Sequence, residues 1–263
     1  MKASSRILII VVSQALAIQA QWLDFPTAGI PRTADGKPIL TGRSPRTPDG
    51  KPDFSGLWEP EAGAVTALGE ALASEFLDIA VNRKEPLPYQ PWALELRKTR
   101  QANAGKDDPS ARCLPLGVIH MHASLVPRKM LQLPGLLVIL YERNVDYRQI
   151  FIDGRPLPAD PNPSFNGYST GKWDGDTLVV ETIGFRDDIW LDAAGNPLSD
   201  AAKITERFRR PNFGNLEITV TVDDPKAYTA PWTVELHQHI KPDTDLLEYF
   251  CENEKSFSHL VGK

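Results

Sequence analysis

Apolar residues recur at every second position through most of the chain after Pro127, and this pattern constrains the fold more than any other feature. A period of two is typical of β-strands, because successive side chains point to opposite faces of a sheet. In residues 216–222, one side carries only leucine, isoleucine and valine, whereas the other carries glutamate and threonine. The pattern therefore predicts sheet with one apolar and one solvated face.

These segments pair along the chain as hairpins. The tripeptide Asp174-Gly175-Asp176 is a strong hairpin turn. The predicted pairs are 136–142 with 147–153, 169–173 with 177–183, 204–209 with 216–222, and 232–240 with 246–252. With an earlier strand at 54–58, these segments are enough to close a barrel that holds side chains and one small ligand. We predict a mainly β fold, an antiparallel lipocalin-like barrel.

A short helical insertion is expected after the first strand. The apolar residues Val65, Leu68, Leu72, Phe76 and Ile79 have helical spacing. A second helix is predicted from Pro91, a residue suited to the first turn, to about Ala104, with Gly105 as its stop. The predicted organisation is a signal peptide over 1–20, an extended lead-in over 21–52, and a barrel domain over 53–263 with helices near 65–104.

The lead-in contains a near-duplicate. Residues 31–38 read PRTADGKP and residues 45–52 read PRTPDGKP. Aspartate-glycine and proline both favour turns, and two copies are too few for a solenoid. We interpret the pair as a tether that wraps the domain.

The N-terminus resembles an export signal. Lys2 and Arg6 precede an apolar run and then small residues, with cleavage sites after Ala17 or Ala20. The alternative is a buried N-terminal helix. The run is too short for a stable membrane anchor. We predict a periplasmic or secreted protein, and the net charge of -5 with no basic run argues against a nucleic-acid partner.

Cys113 and Cys251 are the two cysteines of the chain. In an oxidising compartment, two distant cysteines favour one disulfide, and the alternative is a pair of free buried thiols.

Alternation places some charged residues on apolar faces. Glu206 shares its face with Ile204 and Phe208, and Glu248 and Glu142 are assigned to apolar faces in the same way. A buried lone carboxylate is costly unless it is paired or protonated, so these glutamates either pair with Arg148 or Arg207 or serve a site. The predicted site therefore has Glu206, Glu248 and Glu142 as acid–base groups and Arg148, Arg207 and Trp173 as substrate-binding groups.

Other motifs are weak. His120-Met-His122 and His237-Gln-His239 have metal-chelating spacing on a strand, but we interpret them as surface histidines and predict no metal or other cofactor. Residues 167–171 match G-x-S-x-G, but a strand follows Ser169 where a nucleophile elbow needs a helix.

Longer motifs resemble a family of secreted bacterial proteins that are known as uncharacterised. They are PRTPDGKPDFSGLW at 45–58, the tripeptide at 113–115, YRQIFIDGR at 147–155, GKWDGDTLVVET at 171–182, TERF at 205–208 and EYFCEN at 248–253. The resemblance covers nearly the whole mature chain and implies export and one domain, but no activity. Gly56-Leu-Trp58 is also similar to the lipocalin G-x-W motif.

Two functions are compatible with this pattern. The favoured one is an exported protein that binds a small organic molecule in the barrel without turnover. The alternative is a barrel enzyme, a lyase, isomerase or hydrolase, that uses a buried glutamate as acid or base and an arginine to hold the substrate. The binding function is favoured because the sequence contains no complete, recognised set of catalytic residues, which an enzyme would need.

Overall fold

The computed structural model describes residues 25–61 and 76–251. These residues contain the helices α1 (Pro91–Ala102) and α2 (Val118–Ala123) and a 3₁₀ turn at Pro109–Arg112. The strands are β1 (Gly56–Pro60), β2 (Arg128–Leu133), β3 (Leu136–Tyr141), β4 (Tyr147–Phe151), β5 (Tyr168–Asp174), β6 (Thr177–Ile183), β7 (Ile189–Trp190), β8 (Pro197–Leu198), β9 (Lys203–Arg209), β10 (Asn215–Asp223) and β11 (Trp232–Ile240).

Nine of the described strands form a closed barrel in the order β1-β11-β10-β9-β6-β5-β4-β3-β2. The prediction of a mainly β barrel is therefore confirmed. Strands β7 and β8 form a separate two-stranded hairpin in the connection from β6 to β9. Except for that hairpin, each strand lies beside its neighbour in sequence, and β1 pairs with β11 to close the ring.

The barrel is not purely antiparallel, which corrects the prediction. Strands β4 and β5 run parallel, whereas the other neighbouring pairs of the ring are antiparallel. An odd number of strands cannot alternate in direction all the way round a closed ring, so one pair must be parallel. The chain makes this parallel pair through the long connection 152–167, as a parallel crossover requires.

One predicted strand is wrong. Residues 246–251 form no strand, and their β-type pairing with the barrel is limited to one isolated bridge, from Tyr249 to Arg143. The physical reason is that β1 already occupies the free edge of β11. The ninth place in the ring belongs to β2, in the stretch after Pro127 where the period of two begins.

The second predicted helix is confirmed as α1, which starts at Pro91 and is followed by Asn103 and Gly105. The first predicted helix falls mostly on residues 62–75, outside the described residues, and residues 76–80 form turns. The core is the barrel interior, filled by the inward side of each strand, for example Met130 on β2, Val180 on β6 and Ile218 on β10.

The duplicated lead-in segments form two copies of one loop. In each copy the threonine N–H donates to the lysine carbonyl at 2.9 Å, and the glycine N–H donates to the threonine carbonyl at 2.9 Å. Each loop is bound to the barrel domain by its arginine, the first to the segment after β11 and the second to the β5–β6 turn. Arg32 binds Asp243, and Arg46 binds Asp176 through both carboxylate oxygens.

Cys113 and Cys251 form the predicted disulfide, across a sequence separation of 138. Of the two alternatives for the cysteines, the pair of free thiols is therefore wrong. The predicted signal peptide lies outside the described residues. Within the part of the chain that the structure describes, no helix has both the length and the apolar character to cross a membrane.

Candidate functional site

The wall of the barrel is weakest at the parallel seam between β4 and β5. The ladder there has only two residue pairs, Ile150 with Ser169 and Phe151 with Thr170, whereas β5 and β6 pair over the full length of both strands. Residues 147–149 of β4 therefore lack ladder partners on β5. A cleft of about 410 Å³ lies at this gap.

The cleft has aromatic walls and a few polar groups. It is lined by Pro115, Asp146, Tyr147, Arg148, Gln149, Phe151, Ser164, Phe165, Asn166, Gly167, Tyr168 and Ser169. Asn166 bridges its two sides, since its Nδ2 donates to Asp146 Oδ2 at 3.0 Å and to the Tyr147 carbonyl at 3.1 Å. Burial raises the pKa of Asp146. The volume falls in the range of small-molecule sites in proteins.

A buried ion pair lies behind the cleft. The Arg148 guanidinium, on the inner face of β4, binds both carboxylate oxygens of Glu206 on β9. Arg148 Nε and Nη2 also donate to Ser169 Oγ at 3.2 and 3.1 Å, and Nη2 donates to Thr182 Oγ1 at 2.9 Å. All three nitrogens of Arg148 are thus engaged inside the barrel.

Helix α2 reaches the same ion pair from the barrel mouth. All six of its residues are buried, and His122 Nε2 lies 2.7 Å from Glu206 Oε1. Two inward side chains hold the end of the helix. Arg128 Nη1 donates to the Met121 carbonyl at 2.9 Å, and Gln238 Nε2 donates to the His122 carbonyl at 3.3 Å.

The electrostatics fix the protonation states. Burial alone would raise the pKa of Glu206, but the charge of Arg148 and the hydrogen bond from His122 outweigh it and lower that pKa. Burial lowers the pKa of His122 to about 4. At neutral pH the imidazole is therefore neutral and donates its Nε2 hydrogen to Glu206, which leaves Nδ1 as an acceptor. Nδ1 has no hydrogen-bond partner among the described residues.

The predicted inward position of Glu206 is confirmed, whereas the predicted positions of Glu142 and Glu248 on apolar inner faces are wrong. Arg148 also faces the barrel interior. Glu142 follows the end of β3 on the outer side, where its Oε2 accepts from the Leu247 N–H at 3.1 Å. Strand β3 is apolar at its odd and its even positions alike, so alternation cannot identify its inner face. Glu248 is exposed because the predicted strand around it does not form.

Arg207 and Trp173 do not join Arg148. Arg207 follows Glu206 directly and so points out of the barrel, where its Nη2 donates to Asp174 Oδ2 at 2.9 Å. Trp173 faces inward and stacks on Phe54 with 5.6 Å between ring centroids. Trp173 lines a separate cleft of about 370 Å³ between the second lead-in loop and the β2–β3 turn.

The weaker motifs have different outcomes. His120 and His122 lie on a buried helix, so their interpretation as surface histidines is wrong. His237 is exposed on β11 and His239 is half-buried there. Ser169 lies within strand β5 and occupies no strand–turn–helix elbow. No cluster of three or more histidine, cysteine or acidic side chains that could hold a metal occurs in residues 25–61 and 76–251.

We call the buried polar side chains around this ion pair the interior polar layer: His122, Arg128, Tyr141, Arg148, Ser169, Thr182, Glu206 and Gln238. The sequence analysis did not predict several of them. Gln238 had a usable signal, because it alternates with Leu236 and Ile240 on an inward face. The inward position of Tyr141 had no signal in the sequence, since β3 is apolar at its other positions. His122 had none either, because the helix that carries it is buried all round and shows no polar face.

Comparisons with protein-family models, with curated proteins and with solved structures find no match to this chain.

Proposed function

We propose that this barrel binds a small organic molecule in the cleft at the β4–β5 seam. The observation that carries the proposal is the gap itself, a cleft of about 410 Å³ where an odd-stranded ring leaves two parallel strands joined by only two residue pairs. The site therefore lies in the wall of the barrel, beside the packed polar layer. Every other pair in the ring is antiparallel.

The lining favours an uncharged, ring-bearing ligand. Phe151 and Tyr168 stack across the seam with 5.3 Å between centroids, and they form one aromatic wall with Phe165 nearby. Asn166 Oδ1 is buried with no hydrogen-bond partner among the described residues, so it can accept from a ligand hydroxyl or amide. Arg148 offers no charge to a ligand, because Glu206 neutralises it.

Ligand-observed NMR with phenol, 4-hydroxybenzamide and benzoate tests the proposal. We expect the two uncharged probes to bind more tightly than benzoate. Gln149→Trp places a large ring on the exposed lip of the cleft and should abolish binding, whereas Thr219→Trp, on the outer face of β10, should leave it intact. The proposal fails if no probe binds, or if both variants bind as the unmodified protein does.

An acid–base enzyme is the second candidate, and the His122–Glu206 pair favours it. A carboxylate that orients a neutral imidazole, with the other ring nitrogen free to accept a proton, is the arrangement of a general base. In this arrangement His122 is the base and Glu206 its orienting partner, since Arg148 keeps Glu206 ionised.

NMR titration of the imidazole and carboxyl groups tests this second candidate. A base that works near neutral pH needs a His122 pKa that rises toward 7 when a substrate-like probe binds. If His122 remains neutral and Glu206 ionised from pH 7 to about 5 with and without the probes, the enzyme candidate is lost.

We also propose that the protein is exported and belongs to the family of secreted bacterial proteins whose motifs it shares. The disulfide supports export, because such bonds persist in oxidising compartments. The N-terminal sequence of protein recovered from the periplasm tests it. Cleavage after Ala17 or Ala20 is expected, and an intact N-terminus in the cytoplasm would contradict it.

A further inference from the structure

Arg128 is a fully buried guanidinium whose charge is not neutralised by a carboxylate among the described residues. It lies on the inner face of β2, where Nε donates to Gln238 Oε1 at 3.0 Å and Nη1 donates to the Met121 carbonyl at 2.9 Å. Nη2 has no hydrogen-bond partner within residues 25–61 and 76–251. A buried donor without a partner is rare in folded proteins and points to a bound water or ion.

Arg210 is a buried guanidinium in which every nitrogen has a hydrogen-bond partner. It also lacks a side-chain carboxylate in the described residues, but its Nε and Nη2 donate to the Phe213 carbonyl and its Nη1 donates to the carbonyls of Asp53 and Ser55. Every nitrogen of Arg210 is thus engaged. Arg128 is different because one nitrogen remains available.

A second free donor lies beside Arg128. Tyr141 is its cross-strand partner on β3, and the Tyr141 hydroxyl is buried without a regular hydrogen bond to any described residue. The hydroxyl lies close enough to Arg148 to help raise the pKa of that guanidinium. Arg128 Nη2 and the Tyr141 hydroxyl are therefore buried donors on neighbouring strands, and Tyr141 is close enough to Arg128 to oppose the lowering of its pKa by burial.

The charge of this layer is also unbalanced. Of the charged side chains in the interior polar layer, two are guanidinium groups, Arg128 and Arg148, and one is a carboxylate, Glu206, whereas the buried Asp192, Asp224 and Arg210 are bonded elsewhere. His122 is neutral at neutral pH because burial lowers its pKa to about 4. A net charge of about +1 in a water-excluded interior is costly unless an anion compensates it.

We propose that the barrel interior holds a monovalent anion of a few atoms, such as chloride or formate, between Arg128 Nη2 and the Tyr141 hydroxyl. One negative charge neutralises the layer. Small size follows from the enclosure, since Arg128 and Trp58 are fully buried and Tyr141 is only 3% exposed. The site is separate from the β4–β5 cleft, so it does not depend on the proposed function.

Thermal unfolding of the full chain in different sodium salts tests the proposal without any variant. At constant ionic strength, replacing gluconate by chloride or formate should raise the Tm in a saturable way, because only the folded state binds the anion. Sulfate, which is larger and divalent, should not replace them. The salt whose effect on the Tm saturates at the lower concentration shows whether the site prefers a halide or a carboxylate.

Variants assign the effect to the site. Tyr141→Phe removes one donor to a charged group and should weaken the apparent anion affinity about tenfold or more. Arg128→Gln should abolish the salt effect, and Arg207→Gln, on the outer face, should not change it. If Arg128→Gln does not fold, the Tyr141→Phe variant and the unmodified protein still decide the question.

A crystal grown in sodium bromide would locate the bound anion. An anomalous peak beside Arg128 Nη2 and Tyr141 would support the proposal. A water at that place, a bromide bound elsewhere with none at Arg128, or an equal Tm in chloride and gluconate would overturn it.

Discussion

Glu206 determines the charge balance of the barrel interior, because it accepts from both Arg148 and His122. A buried ion pair adds little net stability compared with apolar packing, but removal of one partner leaves an uncompensated charge. The pair therefore makes the interior sensitive to single substitutions at either residue.

Glu206→Gln is expected to lower the free energy of unfolding by about 3–5 kcal/mol, because Arg148 then remains buried without its counter-ion. Urea unfolding measures the change. Glu217→Gln, which breaks a partly exposed pair with Arg209, should cost less than about 1 kcal/mol.

The double variant Arg148→Met with Glu206→Leu should lose less stability than the sum of the two single changes, because no buried charge is then left alone. Equal costs for Glu206→Gln and Glu217→Gln, or strict additivity in the double variant, would contradict the buried pair.

His122 should make stability depend on pH. The ordinary pKa of 6.5 applies in the unfolded chain, and the folded pKa is about 4. Between these values the unfolded chain binds a proton that the folded chain does not, so stability should fall as the pH decreases through this range. Thermal unfolding at several pH values measures the slope.

The two H-x-H pairs provide the control for that slope. His122→Asn keeps a hydrogen-bond donor to Glu206 and should make the dependence of stability on pH less steep. The pH dependence that remains should come from His120, because burial also lowers the pKa of that histidine. His237→Asn, at an exposed position, should leave the slope unchanged. A slope that is the same in all three proteins would refute this assignment.

The inward residues were predictable only where a strand has one polar face. Strand β9 alternates cleanly, so the position of Glu206 follows from the sequence. Strand β3 is apolar at both parities because its outer side is also partly covered, which explains the error at Glu142. Helix α2 was not predicted, since a helix buried on every side has no amphipathic period.

At the scale of elements, the two lead-in loops act as equivalent clamps. Each arginine joins a glycine carbonyl of its own loop, at 2.8 Å for Arg32 and 2.7 Å for Arg46, to an aspartate of the barrel domain. The planar guanidinium is needed to reach both groups at once. The sequence repeat was visible, but its aspartate partners were not, because they lie far away in the chain.

Arg46→Lys should loosen the second loop alone, because an ammonium group cannot form the same fork. Hydrogen exchange should become faster at the amides of Thr47 and Gly50, which are hydrogen-bonded within that loop, and remain unchanged at Thr33 and Gly36. Arg32→Lys should give the reverse result, so each variant is the control for the other. Faster exchange in both loops from either change would show that the loops are not independent.

At the scale of the whole molecule, the odd number of strands requires a parallel pair, and the long connection 152–167 places it between β4 and β5. The period of two gives nine strands, as the ring has, but not their directions, so the position of the seam could not be predicted from the sequence. The error at residues 246–252 concealed the true ninth strand, β2. The seam and its cleft follow from the closed ring and from no local motif.

The disulfide should stabilise the molecule without closing the barrel, since β1 and β11 already pair. Cys113→Ser with Cys251→Ser should lower the free energy of unfolding by about 2–5 kcal/mol, measured by urea unfolding. The far-UV circular dichroism should remain that of the unmodified protein. Loss of the β spectrum, or no change in stability, would contradict this role.

Chemical-shift mapping of 4-hydroxybenzamide on the amide spectrum of the protein tests the central claim most directly. The largest changes should fall in two separate stretches, 146–149 and 164–169, which meet only at the β4–β5 seam. Changes centred on Trp173 or on the lead-in loops, or no changes at millimolar probe, would contradict a binding site in the wall of the barrel.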